Sequence, residues 1–175
     1  MNRHRLSRLG MLAAVLVSCI GCDRVTKSIA TRTLAPLPRQ SFLGDTVRLE
    51  YALNPGAFLG MGGRLDPGTR FWLLVGANAV VMAILGYVLL VKWNMARLPY
   101  AAGALILAGG IGNLIDRVSQ NGLVTDFLNV GIGPLRTGIF NVADMAITTG
   151  CVLFVWVSWR KEEPAKATPS PPSAA

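Results

Sequence analysis

Charged residues are scarce in this chain of 175 residues. Only 15% of its residues are charged and 52% are hydrophobic, whereas an ordinary soluble domain is about 25% charged. A chain with so little charge cannot cover a water-facing surface with polar groups. The composition therefore indicates a protein that folds in a lipid bilayer.

Histidine and cysteine are also rare, which excludes several kinds of catalysis. The single histidine, His4, lies in the basic N-terminal segment, and the three cysteines lie within or beside apolar blocks. Nucleophilic Ser/His and Cys/His mechanisms are therefore excluded. No His/Cys/Glu cluster has the spacing of a zinc site, and no Walker phosphate loop is present. We expect no metal and no cofactor, which leaves carboxylates with amide and cationic partners.

Four apolar blocks are each close to the roughly 20 residues that a helix needs to cross a bilayer. They predict an all-α membrane protein, a bundle of four transmembrane helices at about 6–29, 70–92, 98–116 and 139–160. The third block carries Ala104, Ala108 and Gly112 at four-residue spacing, which is typical of closely packed membrane helices. We expect it to be the central helix of a domain spanning 1–162, followed by a disordered cytoplasmic tail at 163–175.

The basic residues predict the orientation. Arg3, Arg5 and Arg8 precede the first block, and Lys92 and Arg97 occupy the short link between the second and third. The positive-inside rule then places both termini in the cytoplasm. The net charge of +8 lies between apolar blocks rather than on one aromatic-interleaved surface, so the expected partner is membrane lipid and not nucleic acid.

A β-element is predicted between the first two helices, at about 40–65. Residues 46–51 alternate polar and apolar side chains before a Gly/Pro-rich stretch, a pattern typical of a half-buried strand. With both termini inside, this element lies on the extracytoplasmic surface of the membrane. The extracytoplasmic ends of the helices meet there as well.

Ionisable and amide residues gather on that same side. Each has an ordinary structural explanation: Asp23 and Lys27 form a helix-supporting pair, Asn54 opens a turn motif, and Asn141 with Asp144 fits a helix cap. Asp116 beside Arg117 could be an ion pair that fixes a helix end. Independent capping features have no reason to collect on one side of a membrane, so together these residues favour a site.

Two carboxylates held close together cannot both ionise easily, so one keeps a proton while the other activates water. Asp126, between apolar residues in the predicted loop after the third helix, and Asp144, one turn into the fourth, form a credible pair. The residues by themselves do not rank Asp126 above Asp116. Asn78, in the second block, fits an interhelical hydrogen bond better than a place in the site.

Five segments of the chain resemble the lipoprotein signal peptidases, or signal peptidase II, and the resemblance runs from the first helix to the fourth. The segments are 23–27 (DRVTK), 54–58 (NPGAF), 109–117 (GGIGNLIDR), 124–127 (VTDF) and 140–144 (FNVAD). Many members of the family carry one more small residue between the glycine and the aromatic residue of the second segment. The geometry around Phe58 is therefore the part that the resemblance leaves open.

The resemblance implies residue roles and a substrate. Asp126 and Asp144 would be the catalytic aspartates. Substrate-binding residues would be Asn54, Asn113, Arg117 and Asn141, and site-bracing residues Asp23, Lys27 and Asp116. The enzyme would be a monomer in the bacterial inner membrane, and it would cut diacylglyceryl-modified prolipoproteins just before the lipidated cysteine.

Two other interpretations fit parts of the sequence. Leu16-Val17-Ser18-Cys19 after an Arg-rich start looks like a lipobox, which would make the chain a lipoprotein, but three further spanning blocks follow it. Intramembrane carboxylates also serve transporters and channels. Transport sites usually lie at the bilayer midplane, whereas these carboxylates are predicted at one face.

Overall fold

The computed structural model describes residues 3–56, 66–92 and 94–160. Four helices in these ranges are long and apolar enough to cross a membrane: Arg3–Thr33, Trp72–Val91, Arg97–Ser119 and Val142–Arg160. A small antiparallel sheet of four strands completes the fold. Phe58, the end of the predicted β-element and the predicted tail at 163–175 lie outside the described residues.

Helix α1 (Arg3–Thr33) is longer than the predicted 6–29. Its 31 residues span about 46 Å at 1.5 Å per residue, which exceeds the roughly 30 Å of a bilayer core. In the second half of the helix the buried residues are Asp23, Lys27 and Ala30, spaced by four and three, so they share one face. The part of α1 that reaches the sheet therefore presents charges to the other helices.

The second span differs from the continuous helix predicted at 70–92. It begins with α2 (Pro67–Phe71), continues as a π-helical turn at Trp72–Gly76 and ends as α3 (Ala77–Val91). The earlier start follows from its cap, because the Asp66 side chain accepts a hydrogen bond from the Thr69 N–H at 3.0 Å. A five-residue change of pitch leaves no trace in hydrophobic periodicity, so the sequence did not predict the π turn.

Helix α4 (Arg97–Ser119) is the central helix, as predicted. In its most apolar window 61% of the residues are buried, against at most 17% in the other three spans, and it packs on α1, α3 and α5. Ala104, Ala108 and Gly112 are all buried. A Cβ on Gly109 would lie 2.3 Å from the carbonyl oxygen of Ala143, so only glycine permits this approach of α4 to the next helix.

Helix α5 (Val142–Arg160) begins three residues later than the predicted 139. The reason is that Phe140 is held in extended form by a bridge to Leu128, with its N–H donating to the Leu128 carbonyl at 2.8 Å. Asn141 then caps the helix, and its side-chain oxygen accepts a hydrogen bond from the Asp144 N–H at 3.0 Å.

The sheet corrects one prediction. Strands β1 (Gln40–Phe42) and β2 (Val47–Asn54) fall within the predicted β-element, but β3 (Val124–Ile132) and β4 (Leu135–Arg136) come from the segment that was interpreted as a loop. The first three residues of β3 are buried in succession. They therefore lack the period-two pattern that marks a half-buried strand.

The register of β2 against β3 places two site residues on one face. Ala52 pairs with Asp126 and Asn54 with Val124, so Asn54 and Asp126 are diagonal neighbours across the pair. A bulge between Leu49 and Ala52 inserts one extra residue into β2. Without it, the side chain of Asn54 would point to the opposite face.

The contact between α4 and α5 can be tested with Gly109→Ala. The added methyl group meets the backbone of α5, and overpacking of this kind costs about 1–3 kcal/mol. We expect a lower apparent melting temperature in detergent micelles. Gly21→Ala is the matched control, because a Cβ there meets nothing within 4 Å; equal melting temperatures for the two variants would contradict the close approach.

Candidate active site

The structure brings the nine predicted site residues together at the end of the bundle that carries the sheet. Helix α1 contributes Asp23 and Lys27, the end of α4 contributes three residues, the start of α5 two, and strands β2 and β3 one each. Hydrogen bonds and ion pairs link them into one network. The prediction that these polar residues gather at one end of the bundle is therefore confirmed, independently of the role of each residue.

Lys27 is the centre of this network. Its side chain is 3% exposed, and its Nζ lies 2.8 Å from Oδ2 of Asp23 and 3.0 Å from Oδ2 of Asp116. It also donates a hydrogen bond to Oδ1 of Asn113 at 2.9 Å. A buried ammonium group needs such partners, so one side chain ties α1 to α4.

Two residues that the sequence analysis did not select complete the surroundings of Asp116. Arg24 donates a hydrogen bond to Oδ1, and the backbone N–H of Thr125 donates to Oδ2 at 3.1 Å. Arg24 stands directly after Asp23, and Thr125 directly before Asp126. Their positions beside selected residues were the available signal, but helical and strand periodicity point adjacent side chains in different directions.

Two amide side chains connect the network to Asp126 and Asp144. Asn113 donates to Oδ1 of Asp144 at 2.8 Å, and Asn141 donates to Oδ1 of Asp126 at 2.6 Å. The backbone N–H of Asn141 also donates to Oδ2 of Asp144 at 3.1 Å. Asn141 and Asp144 thus form a reciprocal helix cap, and the same Asn141 holds both carboxylates.

Asp126 lies in a dry environment. It is 2% exposed, whereas Asp144 is half-buried. Oδ2 of Asp126 accepts a hydrogen bond from the Asn54 amide at 2.9 Å. Burial, and to a smaller extent the charge of Asp144, raises the pKa of Asp126 from 3.8 to about 6, although the hydrogen bonds from Asn54 and Asn141 oppose the rise.

Arg117 fixes the turn that carries Asn54. Its Nη2 donates to the carbonyl of Gly56 at 2.9 Å, and the N–H of Gly56 donates to Oδ1 of Asn54 at 2.9 Å. The turn chemistry expected of residues 54–56 is therefore present, and it orients the amide of Asn54 towards Asp126.

An open groove of about 320 Å³ borders the site, and we refer to it as the side groove. It is lined by Leu73, Leu74, Ala77, Asn78, Val81 and Arg117. Arg117 is thus shared between the polar network and an apolar surface on the second span.

The family model described as Signal peptidase (SPase) II matches residues 15–160. Among curated relatives, the lipoprotein signal peptidase of Desulforapulum autotrophicum is 32% identical over 89% of this chain and 94% of its own. That of a Sulfurihydrogenibium species is 34% identical over 92% and 97%. That of Mycobacterium tuberculosis is 36% identical over 86% and 72%.

Solved structures show the same fold. One bacterial membrane enzyme determined by the in meso method at 2.3 Å resolution superposes with a TM-score of 0.77 at 24% identity, covering 93% of this chain and 95% of its own. A second, determined at 1.9 Å, gives a TM-score of 0.72 at 25% identity, over 87% and 94%.

Lys27→Met tests the buried ion network. Breaking a buried pair by removing one partner costs about 3–5 kcal/mol, because the remaining charge is left unpaired, so we expect a large fall in apparent melting temperature. Arg32→Met, on the exposed last turn of α1, changes charge equally and should have little effect. Adding Asp23→Asn to Lys27→Met should recover part of the loss. Equal melting temperatures for Lys27→Met and Arg32→Met would contradict the network.

Asp126 should titrate near pH 6. We expect an infrared band of a protonated carboxyl group that disappears with a midpoint near pH 6 and is missing in Asp126→Asn. Asp45→Asn should keep the band, because the hydrogen bond from Arg48 holds the pKa of Asp45 well below its usual value. A band midpoint near 4 would contradict the buried environment.

The same rise in pKa has a consequence for stability. Because the folded-state pKa of Asp126 is raised, its contribution is fully present below pH 4 and is lost as the pH rises through about 6. The loss is on the order of 3 kcal/mol. Asp126→Asn should therefore gain stability over the unmodified protein between pH 5 and pH 8, as measured by melting temperature; the opposite trend would contradict the sign.

Proposed function

The chain belongs to the signal peptidase II family, and from that premise we propose that it is an aspartic endopeptidase that cuts lipoprotein precursors before a diacylglyceryl-modified cysteine. Removal of signal peptides from lipoproteins follows from the family. The observation that carries the proposed mechanism is that Asn141 holds both carboxylates, Asp126 through its side-chain amide and Asp144 through its backbone N–H. We propose that the two carboxylates, held by one residue in this way, act on the same water.

In the proposed reaction one carboxylate of the pair is ionised and the other protonated. The ionised carboxylate takes a proton from water while the water oxygen attacks the carbonyl carbon before the lipidated cysteine. The other carboxyl group gives its proton to the carbonyl oxygen. The tetrahedral diol then collapses: the C–N bond breaks, the leaving amine accepts a proton from one carboxyl group, and a diol hydroxyl returns its proton to the other carboxylate. The new carboxyl group is released and the pair again holds one proton.

The charges around the site support a single shared proton. The network contains three cations, Lys27, Arg24 and Arg117, and four carboxylates, Asp23, Asp116, Asp126 and Asp144. With every group ionised, the cluster would carry one net negative charge in a poorly solvated place. One proton on the Asp126/Asp144 pair makes it neutral, and the raised pKa of Asp126 favours that residue as its holder.

The four predicted substrate-binding residues divide into two groups. The amides of Asn113 and Asn141 are engaged with carboxylates, so we propose that they position the pair. Asn54 also contacts Asp126 but stands on a turn held by Arg117. We propose that Asn54 and Arg117 border the bound substrate.

We place the site at the extracytoplasmic face of the bacterial inner membrane, with both termini in the cytoplasm. Arg8 donates to the carbonyl of Met95 at 2.7 Å and its guanidinium lies 5.3 Å from the Tyr100 ring centroid. The basic N-terminus and the link between α3 and α4 therefore share the end of the bundle opposite the sheet. By the positive-inside rule that end is cytoplasmic. The proposed active form is a monomer surrounded by membrane lipid.

Asp126→Asn and Asp144→Asn should each reduce cleavage of a diacylglyceryl-modified precursor peptide at least about 100-fold, because an amide cannot carry the proton. Purified protein in micelles and product analysis by mass spectrometry provide the measurement. Asp45→Asn, in the turn between β1 and β2 and paired with Arg48, should cleave normally. Near-normal turnover in either first variant would remove that residue from the mechanism, and cleavage of a non-acylated peptide at an equal rate would contradict the proposed substrate.

A further inference from the structure

Two of the residues that line the side groove carry hydrogen-bond donors without a partner in the described part of the chain. Arg117 is 8% exposed and its Nε, which is buried, has no hydrogen-bond partner among the described residues. The side-chain amide of Asn78, on the second span, likewise makes no hydrogen bond within the described part of the chain. An interhelical bond was expected there. A buried donor without a partner costs free energy, so Nε of Arg117 calls for an acceptor supplied from outside, and the half-buried amide of Asn78 can serve the same acceptor.

The remaining walls of the groove are apolar. Leu73, Leu74, Ala77 and Val81 line it, and the first two belong to the π-helical turn. Single π-helical turns within α-helices are frequent at functional sites. An occupant that suits the groove is therefore largely hydrocarbon and carries one or two oxygen acceptors.

The acceptor should be neutral. Asp144, Asp126 and Asp116 already attract the positive charge of Arg117, so a bound phosphate or carboxylate would add an uncompensated negative charge. Asn78 is a neutral donor and carries no positive charge to balance an anion. Ester carbonyl oxygens meet this requirement, and they occur beside acyl chains in a diacylglyceryl group.

We propose that the side groove binds the ester groups of the diacylglyceryl moiety of the substrate, with Asn78 and Nε of Arg117 as donors, so that Asn78 is a specificity-determining residue. The proposal rests on the proposed function. Arg117 makes the geometry suitable, because its Nη1 lies 3.5 Å from the Asn113 carbonyl beside the carboxylate pair, while the same side chain also lines the groove and keeps its Nε unused. The glyceryl esters lie only a few bonds from the cysteine at the cut, so one guanidinium can serve both regions.

The test compares two synthetic precursor peptides that differ only in the lipid linkage: a diacylglyceryl peptide with esters and a dialkylglyceryl peptide with ethers. With the unmodified protein we expect a KM about 3- to 10-fold higher for the ether peptide, the equivalent of one hydrogen bond, and an unchanged kcat, because the contact is remote from the reacting bond. Cleavage of the ester peptide in this control establishes the proposed function independently.

Asn78→Leu keeps the size of the side chain and removes the amide from a lipid-facing helix, so the variant should fold. It should raise the KM for the ester peptide about 3- to 10-fold and leave the KM for the ether peptide unchanged. Asn94→Leu, in the exposed link at the other end of α3, should alter neither value. Equal KM values for the two peptides would overturn the assignment, and so would an Asn78→Leu effect on KM that persists with the ether peptide. If that effect persists with the ether peptide only in phospholipid vesicles, the occupant of the groove is a bilayer lipid instead.

Discussion

A buried ammonium group determines how the helices meet at the sheet end of the bundle. Lys27 is surrounded by Asp23, Asp116 and Asn113. Its contacts with Asp116 and Asn113 on α4 would both be lost if α1 shifted along α4 by one turn. Asp23 extends the constraint, since its Oδ1 accepts a hydrogen bond from the backbone N–H of Ala143 at 2.9 Å. The carboxylate of Asp23 on α1 thus fixes the start of α5, and with it the position of Asp144.

The structural and functional explanations of the polar residues turn out to describe the same bonds. Asn141 and Asp144 form the helix cap that their spacing suggests, and Asn54 forms its turn. Each of these residues has further donor or acceptor capacity, which it directs at a neighbour in the site. The same residues therefore fix a helix end or a turn and orient a carboxylate, so a substitution at these positions changes both the local backbone and the carboxylate position.

The sequence predicts the spans and the central helix well because apolar length and small-residue spacing are local properties. It predicts the polar cluster because four antiparallel spans bring alternate ends to one side. It does not predict the pairing of β2 with β3, whose partners Ala52 and Asp126 are far apart in the chain, nor the bulge that turns Asn54 towards Asp126. Arg24 and Thr125 were missed for a related reason: one acts through a long flexible side chain and the other through its backbone.

The small residues of α4 have an electrostatic effect as well as a packing effect. A Cβ on Gly112 would lie 2.9 Å from Oδ2 of Asp23 and 3.3 Å from the Cβ of Ala143, so the absent side chain is what lets the carboxylate sit between α4 and α5. Close approach of this kind leaves Asp23, Lys27 and Asp116 almost fully buried. In such a medium ionic interactions are strong and unpaired charge is costly. Burial also raises the pKa of Asp126 on the neighbouring sheet, so the ion pairs between the helices and the protonation of this carboxyl group depend on the same condition, the exclusion of water.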